Sequence, residues 1–67
     1  MKTTKYEICR YIADNAGYKY VTNAYIRKVA EKQTREYLLQ CLAFALRTDA
    51  ECDWQYAFDC ITRGIDY

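Results

Sequence analysis

The sequence predicts an all-α protein, a small bundle of three to four short helices forming a single helical domain over residues 1–67. Three observations predict it. Proline is absent and glycine stands only at positions 17 and 64, so little in the chain interrupts a helix. Apolar side chains recur every three to four residues through most of its length. A threonine, asparagine or aspartate precedes each such stretch, where helix caps belong. Apolar residues make up 52% of the chain, which is enough to close a core. A domain this short buries only about 60% of its unfolded surface, so its stability is marginal.

The first helix is expected over residues 4–16. Thr4 and Glu7 have the spacing of a capping box: the hydroxyl accepts from a free amide while the carboxylate reaches back to the cap's own N–H. Ile8, Cys9, Ile12, Ala13 and Ala16 make one apolar stripe. Gly17 stands where a left-handed C-terminal cap belongs. Residues 18–22 have no helical period and read as an extended connector or a very short strand. In that form Tyr18 and Tyr20 point one way and Lys19 the other.

Thr22 or Asn23 caps the next stretch. There Ile26, Val29, Ala30, Gln33, Tyr37, Cys41 and Phe44 keep helical phase. Residues 23–47 therefore read as one long helix, or as two that meet at Gln33-Thr34 with Thr34 capping the second. Two are preferred, because a single helix of that length is long for so small a domain. Residues 37–46 are apolar on nearly every side, which suits a central core helix or the seam of a dimer.

Thr48 or Asp49 caps the last helix. Its stripe is Ala50, Trp54, Ala57, Phe58 and Ile61, with Glu51 and Asp53 near the positive end of the helix dipole and Gly64 as a stop. A strand period competes here, since Cys52, Trp54, Tyr56, Phe58 and Cys60 alternate with Glu51, Asp53, Gln55, Ala57 and Asp59. Helix is preferred because a strand would find only residues 18–22 to pair with.

Several function classes are set aside. No basic-then-apolar leader follows Met1, and no apolar run nears the roughly 18 residues of a membrane span. A cytoplasmic protein with no membrane partner is expected. Cys9, Cys41, Cys52 and Cys60 would then stay reduced and pack as small hydrophobes. They are far apart in sequence, no Cys-x-x-Cys occurs and histidine is absent, so no metal and no cofactor is expected. Without histidine, a phosphate loop or a serine elbow, no catalytic residue stands out and no enzyme is expected.

Charge is unevenly placed. Residues 1–35 hold eight basic residues (Lys2, Lys5, Arg10, Lys19, Arg27, Lys28, Lys32, Arg35) against three acids (Glu7, Asp14, Glu31). Residues 36–67 hold two basic residues (Arg47, Arg63) against six acids (Glu36, Asp49, Glu51, Asp53, Asp59, Asp66). The net charge of +1 conceals a dipole, which would orient a partner on approach.

The candidate partner-binding residues are Tyr18, Tyr20, Tyr25, Arg27, Lys28, Lys32, Arg35 and Trp54. Arg27, Lys28, Lys32 and Arg35 form a basic ridge suited to phosphates or to an acidic protein surface. Glu31 can also pair with Arg27 or Arg35, leaving a plain solvated face. The chain has eight tyrosines, too many for so small a core. Those at the surface can serve as rigid anchors or stack on bases. The acidic, aromatic segment 49–59 could occupy a basic groove, or the basic end of a second copy.

Residues 23–46, a helix, a turn and a second helix, resemble a helix-turn-helix at low resolution. Val21 to Ala30 would be the supporting helix, with Ala30 packed between the two. Thr34 stands where the turn usually has glycine, and Gln40 where a β-branched residue is usual. The resemblance implies nucleic-acid binding through the ridge.

The preferred expectation is a small non-enzymatic interaction module that inhibits or regulates a larger intracellular protein. In size and class it resembles the phage-encoded anti-CRISPR proteins, which implies a nucleic-acid-handling or defence protein as target. The alternatives are the DNA- or RNA-binding protein and a structural homo-oligomer, a homodimer for instance, with residues 37–46 at its seam.

Overall fold

Threonine hydroxyls start three of the four helices. The computed structural model describes residues 4–63, and its helices are α1 (Lys5–Asn15), α2 (Asn23–Lys32), α3 (Arg35–Thr48) and α4 (Glu51–Arg63). Thr4 accepts from the Glu7 amide and the Glu7 carboxylate accepts from the Thr4 amide, so the capping box is complete. Thr22 and Thr34 cap α2 and α3 by accepting from the amides of Tyr25 and Tyr37. Such caps hold helix ends whose amides have no other partner, each worth about 1 kcal/mol.

Gly17, at φ 88°, ends α1 in the left-handed region. Its N–H donates to the Asp14 carbonyl and the Tyr18 N–H to the Ala13 carbonyl, the paired bonds of a Schellman cap. The 18–22 segment is a turn, closed by the Val21 N–H on the Tyr18 carbonyl at 3.2 Å. The strand alternative fails there because the segment bonds to itself and to α1.

Residues 23–47 are two helices. Gln33 is extended (φ −116°, ψ 154°), which breaks the α-helical hydrogen-bond series before Thr34 restarts it. Residues 52–60 are helical. The cap expected of Thr48 or Asp49 for this last helix is not what these residues do. Thr48 is the last residue of α3, and Asp49, at φ 53°, is its left-handed C-cap. The Asp49 carboxylate accepts instead from the Trp54 indole N–H at 3.2 Å. The Gly64 stop lies outside the described residues.

The buried side chains form one cluster drawn from all four helices. Burying each large apolar side chain contributes roughly 1.5–3 kcal/mol. The central helix is α1, which packs against the other three, burying Ile8, Cys9, Ile12 and Ala13. The more apolar α3 lies to one side, with Ala43 and Leu46 facing outward. Three side chains bond carbonyls on other segments. Gln33 Nε2 donates to the Ile61 carbonyl, Tyr37 Oη to that of Cys60, and Gln55 Nε2 to that of Ala16.

Candidate partner-binding surface

The fold divides the candidate residues among different surroundings. Trp54 is 2% exposed, with Tyr11 edge-on at 5.6 Å, so it is a core residue. Its position on the buried stripe of α4 leaves it no outward face.

The basic ridge is also broken up. Arg35 opens α3, so the bend at Gln33 takes it out of the α2 face that Lys28 and Lys32 share. Arg27 lies on the opposite flank of α2 from Tyr25, with its guanidinium 4.7 Å from the Tyr6 ring centroid. This cation–π contact pins the first turn of α1 to α2. Lys5, Tyr6, Arg27, Ala30 and Glu31 line a shallow groove of about 270 Å³ there. Lys28 and Lys32 remain exposed, three and seven residues after Tyr25 and on its side of the helix.

Tyr18, Tyr20 and Tyr25, by contrast, come together. With Val21, Phe58, Asp59 and Thr62 they line an open groove of about 310 Å³ between the 17–22 turn, α2 and α4. The Tyr18 ring is half-buried and leans on Phe58, 5.3 Å between centroids at 54°. Tyr20 stands nearly perpendicular to Tyr18, 6.1 Å away at 78°. Tyr20 is 80% exposed and Tyr25 46%, so two walls face water over the buried Phe58.

A residue that sequence reading treated only as surface charge holds this groove in place. Arg10, on α1, donates from Nη1 to the Val21 carbonyl at 2.9 Å and from Nη2 to the Tyr18 carbonyl at 3.2 Å. Its Nε meets Asp14 Oδ1 at 3.0 Å, and Nη1 also reaches Asn23 Oδ1. Tyr6 Oη donates to the same Asn23 oxygen at 2.9 Å. One planar guanidinium therefore ties both ends of the tyrosine turn to α1. The i,i+4 spacing of Arg10 and Asp14 was visible in the sequence, but the turn carbonyls were not.

Other aromatic and apolar side chains face elsewhere. Tyr56 edges onto Phe44 at 5.7 Å. A hydrogen bond with the Cys60 side chain raises its phenol above the usual range. Leu39, Ala43 and Leu46 run at i, i+4 and i+7 along one flank of α3. Among the described residues no cluster of histidine, cysteine, aspartate or glutamate could hold a metal ion. No helix among them is long and apolar enough to cross a membrane.

No protein-family profile matches the chain, and neither does any curated protein or solved structure.

Proposed function

We propose that this protein is a non-enzymatic interaction module that docks on a larger intracellular protein and inhibits or regulates it by covering part of its surface. The observation that supports this reading is the convergence of Tyr18, Tyr20 and Tyr25 on one groove over Phe58. Tyrosine brings a large amphipathic contact area at a low entropic cost, which is why interfaces favour it. The Arg10 bonds to the Tyr18 and Val21 carbonyls hold the turn before a partner arrives, reducing the ordering that binding requires. Lys28 and Lys32 beside the groove would orient an approaching acidic surface.

A second reading, single-stranded nucleic acid, is favoured by one observation. Lys28 and Lys32 lie on the Tyr25 side of α2, so phosphates could follow the lysines while bases stack on the tyrosines.

Tagged protein incubated with bacterial lysate, with and without nuclease, separates the two. On the first reading a protein stays bound after nuclease, and the Tyr20→Ala/Tyr25→Ala variant loses it while melting like wild type. Undiminished capture by that variant would overturn the groove as the docking site. Retention of nucleic acid, weakened by Lys28→Glu/Lys32→Glu and by salt, would favour the second reading.

A further inference from the structure

We infer that the tyrosine groove is a receptor for an arginine side chain of the partner, its guanidinium held against the Tyr18, Tyr20 and Tyr25 rings and paired with the Asp59 carboxylate. This rests on the protein-binding reading above and names what that partner presents. Ring geometry is the first ground. Tyr18 and Tyr20 meet at 78° with centroids 6.1 Å apart, forming a two-walled corner, and Phe58 braces Tyr18 from beneath at 5.3 Å. The face of a tyrosine ring carries negative potential and attracts a cation, guanidinium above all because it is planar and weakly hydrated. The fold already makes this pairing once, with Arg27 over Tyr6 at 4.7 Å.

Charge is the second ground. Among the described residues Asp59 is the one charged residue lining the groove, and it is exposed at the rim. A carboxylate beside these rings can accept the two parallel N–H donors of an arginine fork. Lys19, Lys28 and Lys32 are exposed, and none of them lines the groove. Phosphate would meet Asp59 with the wrong sign.

The test is an NMR titration of the full chain with N-acetyl-arginine amide and with its neutral isostere, N-acetyl-citrulline amide. The arginine compound is expected to shift the ring resonances of Tyr18, Tyr20 and Tyr25, with affinity about fivefold tighter than the citrulline compound. Asp59→Asn, an exposed change that leaves the fold intact, should weaken the arginine compound about threefold and leave the citrulline compound unaffected. Equal affinity for the two compounds, or no shift at these rings, overturns the inference. A thymidine decanucleotide that shifts the same rings more strongly than the arginine compound also overturns it, in favour of nucleic acid. The protein-binding reading fails separately, when Tyr20→Ala/Tyr25→Ala leaves partner capture intact. Equal citrulline and arginine binding combined with loss of capture would remove only the arginine assignment.

Discussion

The Nη1 of Arg10 sits 2.9 Å from the Val21 carbonyl, joining the core helix to the far end of the tyrosine turn. With Nη2 on the Tyr18 carbonyl, a single side chain on α1 determines the shape of a groove whose walls lie elsewhere. Arg10→Met keeps the length of the stem and removes the fork. The expected loss is about 1.5–3 kcal/mol, the range for hydrogen bonds to a charged group. For a domain of this size each kcal/mol lowers Tm by roughly 4–8 °C. Arg10→Lys should recover little of it, since one ammonium cannot serve both carbonyls and Asp14. Thermal melts of the three proteins check this, and a lysine variant as stable as wild type would contradict it.

Gly17 gives a prediction about backbone rather than packing. A Cβ at this position would stand 3.4 Å from Glu51 Oε2, an ordinary contact, so space is not the limit. The φ of 88° is the limit, because L-residues avoid it. Gly17→Ala should cost about 1–2 kcal/mol, and Gly17→Asn less. Urea titrations give both values, and an alanine variant of unchanged stability would show that the turn relaxes away from the left-handed cap.

The four cysteines should divide by burial. Cys9, Cys41 and Cys60 are buried and Cys52 is exposed. A thiol-specific reagent on native protein should modify Cys52 alone, and all four once the protein is unfolded. Mass spectrometry after a short pulse decides it, and early labelling of Cys9 would contradict the core described above.

Cys9 also carries a pH dependence. Burial, and secondarily the neighbouring Cys41, pushes its thiol up from 9.0 to about 12. The unfolded chain gives up this proton first, so between those values the native state holds more protons. The stability contributed by Cys9 is therefore fully present below pH 9 and is lost as pH rises toward 12. The slope from this one group is at most about 1.4 kcal/mol per pH unit. Cys9→Ala should flatten the decline in that window, beyond any shared change from lysines and tyrosines. Identical slopes for variant and wild type would refute it.

Trp54 separates core from surface. Trp54→Phe keeps most of the packing but removes the N–H that meets Asp49 at the α3–α4 junction. It should cost about 1–2 kcal/mol. Partner capture should be unchanged, because the side chain lies under Tyr11 and not in the groove. A folded Trp54→Phe protein that no longer captures its partner would place the site elsewhere.

Much of the architecture was legible in the sequence because its causes are local. Thr4 with Glu7, and Gly17, act within one turn of the chain, so their spacing announces where the first helix begins and ends. The stripes Ile8-Cys9-Ile12-Ala13 and Trp54-Ala57-Phe58-Ile61 announce buried faces for the same reason, since a helix of fixed pitch sorts its own side chains. The division of residues 23–47 was harder. Apolar phase runs straight through it, and only the extended backbone of Gln33 settles that there are two helices.

By itself the sequence determined the helix class, the caps at Thr4, Thr34 and Gly17, the two apolar stripes and the surplus of surface tyrosine. Tertiary structure alone decided which of those tyrosines meet. Tyr18, Tyr20 and Tyr25 share a groove only because α4 brings Phe58 and Asp59 up beneath the turn. It also put Trp54 inside, laid Arg27 on Tyr6 and made α1 the centre in place of the more apolar α3. The physical reason is one of range. Caps and periodicity depend on neighbours three or four residues away. A groove depends on contacts between segments more than thirty residues apart, such as Tyr18 with Phe58, whose pairing no local pattern encodes.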